Sequence, residues 1–409
     1  MNRQRFVHAT LILPDRLVPD GSLTVRDGRI AAVGKTDRPE NHPSADDLEI
    51  IDLSGRYLSP GFIDLHVHGG DGADFMDLTA EAFETVCRCH ARHGTTSLTP
   101  TSTVAQVEHY HRFLELCQAY LRQDTGGARI LGGHLYGPYF AEAARGCHPR
   151  LDFLSPDPKR DAEFLRFAKN GLTTITVAPE LPGAEQLVRA AYEHGLLCTV
   201  GHSYATLPQV EAGLKWGIRH VDHLFCAMSD RARLRQSQSY PMRGGVMEAT
   251  LLFDELTTEV IADGEHLSAD LLRLAYTIKG PDRLALVTDA MRAVDQPDGE
   301  YWFGPIHQGE RVCRRGNVGV MPDGNALASG VMGMDHAVRT FHRLTQAPLP
   351  EVIRMASLTP ARILGRDGEL GSLEVGKRAD LLILNEELEV LATIREGQTI
   401  YGQPLCRVK

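Results

Sequence analysis

The sequence predicts an α/β fold: a (β/α)8 TIM-like barrel carrying a small β-sandwich domain built from both chain termini. Three observations predict it. Eight short apolar segments alternate with helical ones through the middle of the chain, the pattern of parallel strands joined by crossover helices. A second texture, of alternating strands and tight turns, fills the first sixty residues and returns only near the end. No Gly-x-Gly-x-x-Gly fingerprint opens the first strand-helix unit, which counts against an open dinucleotide-binding sheet.

In chain order, the N-terminal part reads as strands at 5–13, 22–26 and 29–33, the last two joined at Asp27-Gly28, a dipeptide suited to a two-residue hairpin. Their C-terminal counterparts are 380–384 and 391–401, the latter turning at Glu396-Gly397. Residues 1–58 plus 370–409 are therefore expected to share one β domain around a barrel of 59–369. Barrel strands are expected at 63–68, 96–100, 130–136, 173–178, 196–202, 220–225, 259–263 and 284–288. Eight such units in this length favour a closed barrel over a doubly wound sheet. Two helix starts are signalled, Thr103 with Gln106 and Thr206 with Gln209, each spaced as a capping box and the second with Pro208 in its first turn.

Composition narrows the function. With 43% hydrophobic and 23% charged residues over 409 positions, the chain can bury one large core and a smaller one. A net charge of −10 and a pI near 6.0 exclude a nucleic-acid footprint, which needs clustered Lys and Arg. No apolar run reaches the roughly 18 residues that cross a bilayer, and Arg3 and Arg5 lead into no signal-like stretch, so no membrane partner and a cytoplasmic location are expected. Eight scattered cysteines, with Cys87 and Cys89 in a helical pattern, read as reduced thiols.

In a barrel, chemistry gathers at the carboxyl ends of the strands. The first strand ends Asp64-Leu65-His66-Val67-His68, and residues two apart share a strand face, so both imidazoles can address one ion. The fifth ends Gly201-His202-Ser203, the sixth Asp222-His223-Leu224 and the eighth Val287-Thr288-Asp289. Four histidines and an aspartate on one rim suit a Zn²⁺-type ion, and Asp289 beside it suits proton transfer. His148 and His266 fall in loops, where substrate contact is the natural role. Arg231, Arg233, Arg235 and Arg243 follow the sixth strand, where a basic loop either holds a phosphate or faces water.

The stretches Pro60-Gly61-Phe62-Ile63-Asp64-Leu65-His66-Val67-His68-Gly69-Gly70, Val177-Ala178-Pro179-Glu180, Gly201-His202-Ser203, His223-Leu224 with Ala227-Met228, Ile261-Ala262-Asp263-Gly264-Glu265-His266, Val287-Thr288-Asp289-Ala290 and 371–380 carry a resemblance. Over nearly its whole length the chain resembles the amidohydrolase superfamily and, within it, the N-acetylglucosamine-6-phosphate deacetylases. The resemblance implies a barrel paired with a β domain from both chain ends. It implies a divalent metal, zinc in the first instance and one or two ions, bound by His202 and His223 with His66 and His68 holding it or a second ion. Asp289 becomes the general base and acid, and His148 stabilises the oxyanion with the metal. Substrate contacts come from Cys147 and His148, Cys226 and Ala227, Asp263 to His266, and Ala328, Ser329 and Gly330. The substrate is a small sugar phosphate that loses acetate, and a homodimer is the family's assembly.

Three positions depart from the family pattern. Its His-Leu-Glu-Gly-Pro, with a glutamate ligand, is here His134-Leu135-Tyr136-Gly137-Pro138, and a phenol is a much poorer ligand than a carboxylate. His134, on the face of Tyr136, and Glu180 are the alternative ligands. Cys226 stands where the family usually carries Asn, and the family's phosphate arginine has no unambiguous match among Arg231, Arg233, Arg235 and Arg243. The competing readings are another amidohydrolase acting on a different N-acyl or cyclic amide, and a non-catalytic sugar-phosphate binding protein. Glu180, in place of the lysine of many cyclic amidases, counts against the cyclic amide; Asp289 among the histidines counts against a pure binder.

Overall fold

Runs of buried residues set the architecture of the chain, described by a computed structural model over residues 3–36, 48–151, 153–236 and 241–403 and the backbone of 407–408. Eight parallel strand positions follow in sequence: β1 (Phe62–Val67), β2 (Thr95–Pro100), β3 (Gly133–Tyr139), β4 (Leu172–Val177), β5 (Leu197–Val200), β6 (Ile218–Val221), β7 (Thr257–Ile261) and β8 (Leu284–Val287). Every residue of β1, β2, β3 and β8 is buried, as expected of parallel strands covered on both faces. β3 to β8 form one six-stranded sheet in chain order, and β1 and β2 form another with the short strand Arg129–Ile130.

The third expected strand is thus divided. Arg129–Ile130 pairs with β2, whereas β3 pairs with β4. Gly132 lies between them at φ 127°, where a Cβ would crowd Thr173, so glycine lets the chain step from one pairing to the next. Bridges link the two sheets at both ends, Thr101 to His134 and Val67 to Ala290, both parallel. Beyond β8, the Asp289 amide donates to the His66 carbonyl at 2.9 Å and the His68 amide to the Ala290 carbonyl at 2.8 Å.

The two helix-start expectations part company. Gln209 Oε1 accepts from the Thr206 amide at 2.8 Å at the head of helix Leu207–Trp216, as the spacing predicts. The Thr103 expectation fails: helix Val107–Tyr120 begins four residues later, with Gln106 as its cap. Thr103 is buried in the entry segment, and the Tyr110 hydroxyl accepts the Ala105 amide at 3.0 Å, satisfying the backbone by another route.

The chain ends meet in a nine-stranded sheet in which Leu381–Leu384 pairs antiparallel with Tyr57–Pro60. Both expected hairpins occur, with Asp27 and Gly28 at φ 48° and 76° and Glu396 and Gly397 at 48° and 73°, the left-handed pair that two-residue turns require. The strands are hydrogen-bonded into one sheet that branches at Arg3–Ile12, which pairs with three other strands. Strand Arg3–Ile12 pairs with Leu48–Asp52 near its start and Tyr57–Pro60 near its end, with register shifts and His8 at φ 50° between. In Leu381–Leu384 the pleat alternates cores. Leu381 and Ile383 pack with Phe6, Leu23 and Leu58, while Leu382 and Leu384 join the main core beneath the parallel strands. Strands Gly299–Phe303, Glu310–Arg315 and Val318–Val320 add an antiparallel excursion after β8 that the sequence reading did not include. Among the described residues no helix is long and apolar enough to cross a membrane.

One polar tie holds the first helix, Ala80–Arg92, to the end of the chain's parallel core. His93 Nδ1 meets Asp335 and Nε2 meets Asp295, each at 3.0 Å. Burial alone would lower this imidazole, but its hydrogen bonds and charge interactions with the two aspartates win and raise it to about 9. A base raised in the folded state contributes stability that is full below its unfolded value of about 6.5 and is lost as pH rises through about 9. The His93→Asn variant is expected to be about 1–3 kcal/mol less stable at pH 6 and to lose that part of the pH dependence. Urea denaturation at pH 6, 8 and 9.5 checks it, and parallel stability curves for the two proteins would refute the tie.

Candidate active site

Polar residues inside an otherwise apolar strand need partners, and here those of β1, β3, β6 and β7 find one another. His66 of β1 is fully buried; its Nδ1 meets Glu259 Oε1 of β7 at 2.6 Å, and its Nε2 faces Asp289 Oδ1 at 3.5 Å. His68 is pinned by Nδ1 to the Thr101 carbonyl at 3.1 Å, which turns Nε2 toward the same Asp289 oxygen at 3.2 Å. His202 is held through Nδ1 by the Ala144 carbonyl at 2.7 Å. His223 Nε2 meets the Tyr136 hydroxyl at 2.6 Å. His202, His223 and Asp289 adopt φ of 45°, 24° and 47°, left-handed turns that aim each side chain off its strand end at a local conformational cost. Gly201 is required for the same turn, since a Cβ there would collide with the Asp222 carboxylate.

Charge is distributed unevenly over this network. Burial would raise the Asp289 carboxyl, but the His68 hydrogen bond and the charges of His66, His68 and His223 hold it well below the usual carboxylate range. Burial would lower His66; Glu259, with Asp289 and Asp222, overrides it and raises the imidazole to about 9. Glu259 is driven down against its own burial by His66 and His220, whereas burial and the Glu259 charge push Asp222 up to about 7. Burial also lifts Asp64 to about 7, and it accepts from Thr288 Oγ1 at 2.5 Å. The carboxylates of Glu259 and Asp289 on either side of His66 thus favour its charged form.

These residues fit a divalent ion. Ligand atoms of His66, His68 and Asp289 lie within 4.8 Å of one another, and His66 Nε2 is buried without a hydrogen-bond partner. Two imidazoles and a carboxylate are a suitable donor set, and a cation would stand where the His66 proton now balances two carboxylates. A second group, His66, Asp222 and Glu259, lies behind it. Its acids are engaged by Thr176 and Thr199 on Asp222 and by His66 and His220 on Glu259, which marks it as the hydrogen-bonding layer behind the ligands. Glu259 and Asp222 were missed as site residues; the available signal was an acid at an inward position of an apolar strand.

The cavity above has a volume of about 420 Å³. His68, His202, His223, Asp289, His148 and Tyr136 line its floor, and Cys147, Cys226, Ala227, His266 and Ser329 its sides. The ring of Phe140 stacks on His202 at 4.3 Å, and Phe303, from the unforeseen strands after β8, packs against His68 at 5.0 Å. His148 is buried, with Nδ1 accepting from the Val104 amide at 3.4 Å, and burial holds it neutral, so its proton is on Nε2. Asp263 grips His266 Nδ1 at 2.7 Å.

Other expected residues lie outside the cavity. Ala328 and Gly330 are buried beneath it, with the Gly330 amide donating to the Asp289 carbonyl at 2.7 Å, and the Ser329 hydroxyl donates to that carbonyl too. His134 points away to Thr176 Oγ1 at 2.7 Å. Glu180 accepts from Ser203 Oγ and the Tyr204 amide, both at 2.6 Å. Arg235 and Arg243 are exposed; of the basic loop it is Arg233 that lines the cavity, its guanidinium 4.6 Å over the Tyr204 ring.

Residues 57–400 match the amidohydrolase family. The chain is 33% identical to an N-acetylglucosamine-6-phosphate deacetylase of Vibrio furnissii, over 93% of this chain and 91% of the relative. It is 32% identical to an N-acetylgalactosamine-6-phosphate deacetylase of Escherichia coli, over 95% and 97%. A mutant N-acetyl-D-glucosamine-6-phosphate deacetylase of Mycobacterium smegmatis, solved with N-acetyl-D-glucosamine-6-phosphate, superposes with a TM-score of 0.87 at 28% identity, over 98% of this chain and 100% of that one. The N-acetylglucosamine-6-phosphate deacetylase of Pasteurella multocida gives 0.86 at 30%, over 97% and 99%.

Because Glu259 orients His66, the Glu259→Gln variant is expected to bind zinc about 10- to 100-fold more weakly while keeping its far-ultraviolet circular dichroism. Competition with a chromogenic chelator measures this, and an unchanged affinity would remove Glu259 from the site.

Proposed function

The chain belongs to the amidohydrolase family, and from that premise we propose that it is a metal-dependent deacetylase of an N-acetyl amino sugar phosphate, N-acetylglucosamine 6-phosphate in the first instance. The observation that carries the reading is Asp289, a carboxylate kept ionised by His66 and His68 where it lines the cavity. We read the eight parallel strands as a closed barrel, supported by the bridges Thr101 to His134 and Val67 to Ala290 between the two sheets. The terminal strands, residues 1–58 and 370–409, are read as its accompanying β domain.

His66, His68 and Asp289 would hold the ion, with His202 facing them. When bound, a divalent cation such as zinc acidifies water toward a pKa of about 7 and polarises a carbonyl. The protein's own groups supply the rest. Asp289, free of its proton at neutral pH, accepts one from the water that attacks the acetamide carbon. Neutral His148 donates from Nε2 to the carbonyl oxygen as negative charge develops there. Asp289 then passes its proton to the amine as the C–N bond breaks, giving acetate and the 2-amino sugar phosphate. Phe140 and Phe303 keep bulk water from the reacting carbon. His266, fixed by Asp263, offers Nε2 to a sugar hydroxyl, and Arg233 is placed for the phosphate.

Acetate release from N-acetylglucosamine 6-phosphate by zinc-loaded protein tests the reading, beside N-acetylgalactosamine 6-phosphate and the unphosphorylated sugars. Turnover is expected to depend on phosphate and to fall about 10²- to 10⁴-fold in Asp289→Asn. Arg233→Ala is expected to raise KM for the phosphorylated sugar with little change for the plain one. Intact, metal-loaded protein that releases no acetate from either phosphate would sink the proposal.

A further inference from the structure

The ligand groups on the rim are not equivalent, and their difference fixes how many ions the site takes. We propose that the chain seats one divalent ion, at the His66, His68 and Asp289 end of the rim, and that the Tyr136 phenol denies a second ion the His202 and His223 end. The proposal rests on the metal-dependent reading above and deepens it.

Three neighbouring ligand atoms are found at the β1 and β8 end, on His66, His68 and Asp289. Among the described residues no such group includes His202 or His223. Tyr136 packs against both of those neighbouring imidazoles: its hydroxyl is 2.6 Å from His223 Nε2, and its ring centre is 5.4 Å from that of His202. The phenol is held there on several sides, with its ring centre 4.6 Å from Phe140 and 4.6 Å from His66. Its backbone is fixed as well, since Ser102 Oγ accepts the Tyr136 amide at 2.9 Å.

This occupation matters chemically. A neutral phenol brings no negative charge and engages His223 Nε2 by a hydrogen bond in either imidazole tautomer, so Nε2 is not free to ligate, while Nδ1 is buried without a partner. A carboxylate at this position would bring both the charge and the third ligand atom. Among the described residues the neighbouring acids are engaged elsewhere: Glu180 turns away to Ser203 and Tyr204, and Asp222 Oδ2 is tied to Thr176 and Thr199. Tyr136 therefore sets the metal count, and His223 remains a hydrogen-bonding group.

The test is metal stoichiometry, which reads out without substrate. Protein stripped with chelator is dialysed against zinc or cobalt, and bound metal per chain is measured by mass spectrometry, with the cobalt absorption spectrum as a second readout. One ion per chain is expected for the unmodified protein and for His223→Asn, none or a greatly weakened ion for His68→Asn, and two for Tyr136→Glu. Circular dichroism of each variant confirms folding, and the His68 and His223 pair decides the location if Tyr136→Glu does not fold. Two ions in the unmodified protein, or an ion that survives His68→Asn and is lost in His223→Asn, overturns the proposal. No bound ion at all overturns it together with the metal-dependent reading. One bound ion without acetate release leaves it standing and removes the substrate alone.

Discussion

The site is organised by a single line of buried charge, Glu259 to His66 to Asp289, crossing the chain's parallel core from β7 through β1 to the end of β8. Two ionised carboxylates on either side of one imidazole are tolerable in a dry interior only with positive charge between them. Positive charge on His66 meets that demand, and in the reading proposed above a divalent ion would meet it instead. Asp222 and Asp64, equally buried, are pushed up to about 7, both chiefly by burial and Asp222 also by the Glu259 charge.

The fold delivers that line with little freedom to miss. β1 is buried over its whole length, so Asp64 and His66 cannot turn outward, and the Thr288 and Glu259 partners that satisfy them come from β8 and β7. Left-handed turns at His202, His223 and Asp289 then bring side chains from three strand ends over one floor. The antiparallel excursion after β8 sets Phe303 against His68 and His148, converting an open rim into a cavity.

Much of this was legible in the sequence because its signals are local. The spacing of His66 and His68, the hairpins at Asp27-Gly28 and Glu396-Gly397 and the cap at Thr206 each depend on residues within a few positions of one another. What escaped was set by distant pairings. Thr103 has the spacing of a cap, yet Tyr110 takes over the backbone it would have served. Glu259 reads as one acid in a strand until β1 supplies His66. Ala328 and Gly330 belong to the substrate-contact motif by resemblance, but the Gly330 amide bonds the Asp289 carbonyl, supporting the turn from which Asp289 projects, and the Ala328 amide bonds the Gly319 carbonyl. Arg233, Arg235 and Arg243 are alike as letters; the ring of Tyr204 and the wall of the cavity distinguish the first.

Tyr136 shows how one letter redistributes this balance. An added carboxylate beside His223 would put a further negative charge near Glu259, Asp222 and Asp289, and the interior could carry it only with a further cation. The phenol avoids that demand. It bonds His223 and leaves the charge line through His66 unaltered. Tyr136 is therefore compatible with Asp289 and the first-strand histidines as they stand: no further carboxylate beside His223 adds a charge to be neutralised.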